Sequence, residues 1–281
     1  MIRLARGAEP ATLASARAKK LSAAVAAVEA RTAPTIDGYD VAKADLYRAQ
    51  HKKCAFCERR TDFSSAPTEH FRPKKGALRH ESGQATAIDE SHYWWLAWTW
   101  ENLLFACVRC NDQAHKGNWF PLVAGTTACR PPSKAVRRSL QTLASWGLAT
   151  EQAALLDPAC ESGLDHFVWR PVDATLPRAT WIWAVAPLTE RGRRTMRVLK
   201  LEELAEDVGN QVRVALLPSV EEIEAHLADG ALAKARGRWD ALLRDTFAPG
   251  ADLTAAMWCA LEVLLPATAR ASARLSSPPR P

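Results

Sequence analysis

Apolar residues recur at helical spacing in several long blocks and at strand-like spacing in two short ones, so the pattern predicts a mostly helical α+β protein. Residues 11–31 are Ala-rich, with Leu13, Leu21, Val25 and Val28 spaced for a helix, and Pro34 and Gly38 break the run. Residues 40–52 read as a second helix leading into Lys52-Lys53-Cys54. The segment from His51 to Leu122 carries the chemistry-bearing motifs, and 125–132 reads as a linker punctuated by Pro131-Pro132. Beyond it, 133–146 reads as a helix with Ser133 at its N-cap and Gly147 directly after. The aromatic and β-branched runs 167–170 and 180–185 read as strands, and 189–208, 219–229, 231–246 and 252–265 as helices. From Ala267 onward the chain is mostly Ala, Ser, Arg and Pro, which predicts a flexible tail. The expected organisation is a helical segment 1–50, a motif-bearing core 51–125, a mainly helical region 133–266 and a tail 267–281, with no internal repeat.

Composition narrows the class. A chain of 281 residues holds one large domain or two small ones, and 48% hydrophobic with 24% charged residues supports a core rather than bulk disorder. A net charge of +6 and a pI of about 9.0 favour an acidic partner such as nucleic acid, although only weakly, since many basic proteins bind none. No apolar run reaches the roughly 18–20 residues that span a bilayer. The N-terminus, Met1-Ile2-Arg3-Leu4-Ala5-Arg6, leads into Ala-rich sequence with Arg17, Lys19 and Lys20 and without an uninterrupted apolar signal core. The expectation is a cytoplasmic protein with no membrane partner.

Seven cysteines is an odd number. Four fall in two pairs, Cys54-Ala-Phe-Cys57 and Cys107-Val-Arg-Cys110, while Cys129, Cys160 and Cys259 lie alone and are expected to be inert thiols. That usage suits a reducing compartment and one metal site better than a disulfide framework. A thiolate pair with two residues between can grip one metal from a tight turn, and the second pair completes four tetrahedral ligands for a structural Zn²⁺. Such an ion does no chemistry, because four thiolates leave no open position. A redox Cys-x-x-Cys is the competing reading of either pair taken alone.

Between and after the pairs lie residues suited to phosphodiester hydrolysis, which needs a base for the attacking water and a metal near the departing oxygen. His70 is the candidate base, and Glu69 is a hard oxygen ligand suited to Mg²⁺ or Mn²⁺. Adjacent side chains in a strand face opposite ways, so a local bend would have to bring the two together, and Pro73 is consistent with one. Asn102 has an amide that both accepts and donates, so it can brace the loop carrying His70. Asn111 and His115 are four apart, a spacing that shares one helix face and lets two side chains converge on the same catalytic metal. Arg72, Lys74 and Lys75 follow His70 closely, and Arg109 and Lys116 sit in the metal-binding helix region, which makes all five candidates for phosphate contact.

These residues in this order resemble the HNH endonucleases with a ββα-metal core, over residues 54–122. The resemblance implies that His70 is the general base, that Glu69 binds metal, that Asn102 is the central Asn, and that Asn111, with His115 in some branches, supplies ligands from the helix. Glu stands where Asp is usual before the His, and the insert from Lys75 to Trp100 is longer than the usual hairpin. A narrower resemblance is carried by Lys53-Cys54-Ala55-Phe56-Cys57-Glu58, Glu69-His70-Phe71-Arg72-Pro73-Lys74, Tyr93-Trp94-Trp95-Leu96-Ala97, Trp100-Glu101-Asn102-Leu103, Cys107-x-x-Cys110-Asn111 and Lys116-x-x-x-Phe120-Pro121-Leu122. Together they are similar to the HNH nuclease subunit of Septu-type anti-phage systems. That resemblance implies a partner ATPase of the ABC/SMC type. The competing function is a non-catalytic zinc module that binds nucleic acid or a protein. It needs the four cysteines but not Glu69, His70, Asn102 and Asn111 in register.

Two further features have plainer readings. The run Tyr93-Trp94-Trp95-Leu96-Ala97-Trp98-Thr99-Trp100 could stack on bases but fits core packing better. His51, His80, His92, His166 and His226 match no ligand spacing, and the cluster Arg191, Arg193, Arg194 and Arg197 is as well explained by a solvated helix start as by an acidic partner.

Overall fold

Leu13, Leu21, Ala24 and Val25 are buried on one side of α1 (Ala11–Glu29), as their spacing requires. The computed structural model describes residues 1, 3–79, 88–89, 93–131 and 151–281. The helix expected at 133–146 with its cap Ser133, and the side chains of His80 and His92, lie outside the described residues. α1 packs on a tight turn at Tyr39–Ala42, which runs into α2 (Lys43–Ala49). The second helix is therefore shorter than expected, because Gln50 turns inward instead of extending it. Its Nε2 donates to the carbonyls of Lys53 (3.0 Å) and Phe105 (2.7 Å), and its Oε1 accepts from Phe105 N (2.8 Å).

Those bonds tie the N-terminal segment to a small ladder. β1 (Thr68–His70) pairs antiparallel with β4 (Leu103–Phe105), in the register Thr68↔Phe105, Glu69↔Leu104 and His70↔Leu103. Between them, β2 (Ala77–Leu78) pairs with β3 (Ile88–Asp89). A short helix, α3 (Val108–Asn111), follows β4, so β1, β4 and α3 come in strand–strand–helix order. Every ring from Tyr93 to Trp100 is buried, and the indole N–H groups of Trp98 and Trp100 donate to the carbonyls of Asp37 (2.8 Å) and Gly7 (3.3 Å). The run is thus core, with those two indole donors paired as burial demands.

The C-terminal region opens with the hairpin β5 (Phe167–Pro171) and β6 (Trp183–Pro187), the second strand starting later than expected because Arg178–Thr180 forms a turn. Thr189 caps α4 (Glu190–Leu199) by accepting from Gly192 N at 3.0 Å. The single helix expected over 189–208 is broken at Lys200, which takes a left-handed φ of 46°. After a turn at Leu201–Leu204, α5 (Ala205–Gln211) continues through a π-helical turn at Val212–Leu216 into α6 (Leu217–Ala228). Pro218 falls directly after that π-helical turn, the local irregularity at which a continuous helix accommodates a residue without an N–H. α7 (Leu232–Thr246) packs on α6, and α8 (Thr254–Leu264) is buried along most of its length.

The tail expected to be flexible is folded. α9 (Ala267–Ala273) is held by the buried Arg270, whose guanidinium donates to Leu265 O (2.6 Å) and to the Glu262 carboxylate (2.9 and 3.1 Å). Trp239 Nε1 then donates to Ser276 O at 2.9 Å, beyond the helix. One hydrophobic core runs from the N-terminal helix through the ladder to α8. Among the described residues, no helix is long and apolar enough to cross a membrane.

Candidate metal centre and active site

Cys54 and Cys57 sit on the turn after α2, and Cys107 and Cys110 span the start of α3, whose first turn is capped by Cys107 Sγ accepting from Cys110 N at 3.4 Å. The ligand atoms of all four lie within 4.8 Å of one another, and Cys57 Sγ to Cys107 Sγ is 3.8 Å. A tetrahedral zinc with Zn–S bonds of about 2.3 Å sets its sulfurs about 3.8 Å apart, so the donor set fits that ion. The crowded thiols are coupled, and hydrogen bonding with its neighbours, Cys110 first, holds Cys107 below the ordinary thiol range. Cys110 and Cys57 are pushed upward in return, chiefly by donating to Cys107. A dication would remove that opposition by neutralising the accumulating charge. The fold brings together four thiols rather than one redox pair, as the joint reading of the two motifs requires.

His70 ends β1 and is buried. Its Nε2 lies 3.0 Å from the carbonyl of Ala97, which can only accept, so Nε2 carries the proton and Nδ1 holds the lone pair. Lys74 Nζ stands 3.3 Å from that Nδ1. Burial pushes the imidazole well below its ordinary pKa, and the Lys74 charge pushes it further, so the ring is neutral. Asn102 holds the next turn of chain on both sides. Its Oδ1 accepts from Arg72 N (2.8 Å), and its Nδ2 donates to Arg72 O (3.1 Å) and Leu96 O (3.3 Å).

Glu69 points into the protein, where Lys116 Nζ donates to its Oε1, to His70 O (2.6 Å) and to Gly117 O (3.2 Å). Both partners are buried, and burial pushes the Glu69 carboxyl up and the Lys116 ammonium down. Lys116 is therefore an internal strut between the His70 turn and the chain after α3, which corrects its reading as a phosphate contact. Removing one partner of such a pair leaves the other charge buried alone. Lys116→Ala should lower unfolding free energy by about 3–5 kcal/mol in urea titration, and adding Glu69→Gln should recover part of the loss. A single variant as stable as wild type would rule the strut out.

Arg72 is likewise internal. Its Nε donates to Glu151 Oε1 (2.9 Å) between the rings of Phe71 and Phe120, and Glu151 Oε2 accepts from Tyr93 OH (2.6 Å) and Cys129 N (2.7 Å). Its reading as a phosphate contact is corrected for the same reason, since the guanidinium is buried and paired. Arg109 donates to Glu203 (3.2 and 2.8 Å) and to Lys200 O (3.0 Å). Lys74 and Lys75 are the remaining candidates, Lys74 half-buried at His70 and Lys75 exposed. In the second basic cluster, Arg191 is occupied by Glu161 and by the carbonyls of Ala153 and Leu155.

The helical premise for Asn111 and His115 does not hold, because α3 ends at Asn111 and the chain turns before His115. His115 Nε2 meets Glu203 Oε2 at 3.1 Å, and its buried Nδ1 has no hydrogen-bond partner among the described residues, a donor atom suited to a metal. Asn111 is half-buried at the end of α3. Among the described residues, the four cysteines alone gather three or more Cys, His, Asp or Glu ligands closely enough to share an ion. Three residues at the site carried no motif signal: Tyr39, Glu151 and Glu203. Tyr39 stands T-shaped to the His70 ring at 4.6 Å, and the two glutamates arrive from distant sequence.

The architecture and the cysteine cluster define an α+β protein built around a four-cysteine centre that could hold zinc. The chain is similar to the Septu protein PtuB of Bacillus mycoides (strain KBAB4), 28% identical over 181 residues, which cover 63% of this chain and 51% of that protein. The match thus spans about half the length of that relative. No family model matches the chain, and no solved structure matches it.

Proposed function

We propose that this chain is a metal-dependent HNH endonuclease that hydrolyses phosphodiester bonds in nucleic acid, DNA in the first instance. We further propose that it is the effector of an anti-phage system working with an ABC/SMC-type ATPase. The observation that carries the nuclease reading is the state of His70: neutral, locked by Ala97 O into the Nε2–H tautomer, with Nδ1 beside a lysine ammonium. A base needs that protonation state, and a phosphate needs that cation. The similarity to a Septu protein supports the defence role.

In this mechanism the scissile phosphate draws the Lys74 ammonium off His70 Nδ1 and leaves the lone pair to a water. His70 Nδ1 takes the water's proton as its oxygen bonds to phosphorus, and the bond to the 3′ oxygen breaks. Asn102 keeps the turn after His70 from shifting, and Lys75 contacts the neighbouring backbone. Glu69, Asn111 and His115 are the residues that would hold Mg²⁺ or Mn²⁺, with Lys116 competing for Glu69. The ion would supply charge stabilisation at the leaving oxygen.

The test is cleavage of supercoiled plasmid, single-stranded DNA and RNA, with Mg²⁺ or Mn²⁺ present or omitted, and with and without the ATPase. Cutting that requires the divalent ion is expected. Cutting confined to samples containing the ATPase would place the chain in a gated defence complex. A zinc-loaded protein that retains nucleic acid and cuts nothing would sink the nuclease reading in favour of a binding module.

A further inference from the structure

His70 has a third neighbour besides Ala97 and Lys74. Tyr39, on the turn before α2, lies outside the segment that bears the motifs. Its ring and the His70 imidazole form a T-shaped pair, with centroids 4.6 Å apart and planes at 83°. The face of the same ring lies under Lys74 Nζ, 4.6 Å from the centroid. One aromatic side chain therefore touches both the base and the cation beside it, while Lys74 bridges the two at 3.3 Å from Nδ1. The ring is half-buried, so part of it meets solvent. Its backbone is anchored by Gly38, whose left-handed φ of 74° starts the turn.

We propose that Tyr39 is a positioning residue for the nuclease reaction, its ring face guiding the Lys74 ammonium beside His70 as a phosphate draws it off Nδ1, so that the water is left opposite the freed lone pair. This rests on the nuclease reading above. The physical reason is the ring quadrupole, which attracts an ammonium over its face. Without the ring, Lys74 keeps its charge but loses its place, because a lysine stem has four rotatable bonds and the nearby Glu69 carboxylate is already taken by Lys116. The N-terminal helical segment thereby supplies part of the active-site wall. A phenol is not required, since no hydrogen bond of the Tyr39 hydroxyl is needed for either contact.

The experiment compares Tyr39→Phe, Tyr39→Leu and Lys74→Ala in the full chain, singly and with Tyr39→Leu combined with Lys74→Ala, each matched to wild type in zinc content and melting temperature. Tyr39→Phe should cut within about two-fold of wild type, because it keeps the π face. Tyr39→Leu fills similar space without that face, and should lower kcat by about ten-fold while leaving nucleic-acid affinity within about two-fold. In the Lys74→Ala background the same leucine should change little, a non-additive cycle that mere packing would not produce. Wild-type rates in Tyr39→Leu, equal losses in Tyr39→Phe, or additive losses in the double variant would each overturn the positioning role while the nuclease reading stands. A wild-type chain that cuts nothing overturns both.

Discussion

His70→Ala should reduce cleavage by about 10²–10⁴-fold while zinc content and fold survive. The separation of effects follows from how the neighbourhood is built. The ladder of β1 and β4 is made by the backbone, and the turn after His70 is held by Asn102 through Arg72 N and O, none of which needs the imidazole. What the variant loses is the lone pair on Nδ1, the Nε2 hydrogen bond to Ala97 O and the packing against Tyr39, so a drop in stability of about 1–3 kcal/mol accompanies a large drop in rate. Asn102→Ala is the instructive contrast. That side chain is buried and makes three hydrogen bonds to backbone, so its loss should lower melting temperature and rate together. Single-turnover rates set beside thermal melts and zinc assays read both axes. A His70→Ala protein that cuts at nearly the wild-type rate would remove this residue from the base role.

The sequence exposed those groups whose chemistry is local. Two cysteines with two residues between them imply a metal-binding turn, and the two pairs meet in space as four ligands must. Asn102 carries a two-sided amide, and it braces the chain on both sides. The destinations of the cations were not legible, because each is fixed by a residue far along the chain. Lys116 finds Glu69 across 47 positions, Arg72 finds Glu151 across 79, and Arg109 finds Glu203 across 94. A basic residue beside a catalytic motif looks alike in sequence whether it faces phosphate or a buried carboxylate; only the partner decides. The same logic explains the helix boundaries that differ from expectation. Lys200 stops α4 without the glycine that usually announces a left-handed cap, and the tail folds because Arg270 pairs with Glu262 rather than remaining in solvent.

Cys110→Ser should lose zinc and, with it, the stability of far more than α3. Structural zinc binding in small domains is worth about 10–16 kcal/mol, comparable with the roughly 5–15 kcal/mol that keeps a domain folded. Here the loss should spread, because the cysteine-bearing turns also dock the C-terminal region. Lys53 donates to Ala251 O and Thr254 Oγ1, and Glu58 accepts from Ala255 N at the start of α8. Arg59 pairs with Asp207, and Arg109 with Glu203. The two surface pairs contribute little each, but the Glu58 carboxylate is buried and satisfies a helix N-terminus, so its displacement is costly. Hydrogen exchange should therefore rise at β1, β4 and α3 and also across 251–255, while Cys259→Ser, away from the cluster, leaves zinc and the exchange at α3 unchanged. A Cys110→Ser protein that is zinc-free, stable and active would contradict the structural role of the metal, and protection retained at 251–255 after zinc loss would show that the C-terminal region docks without it.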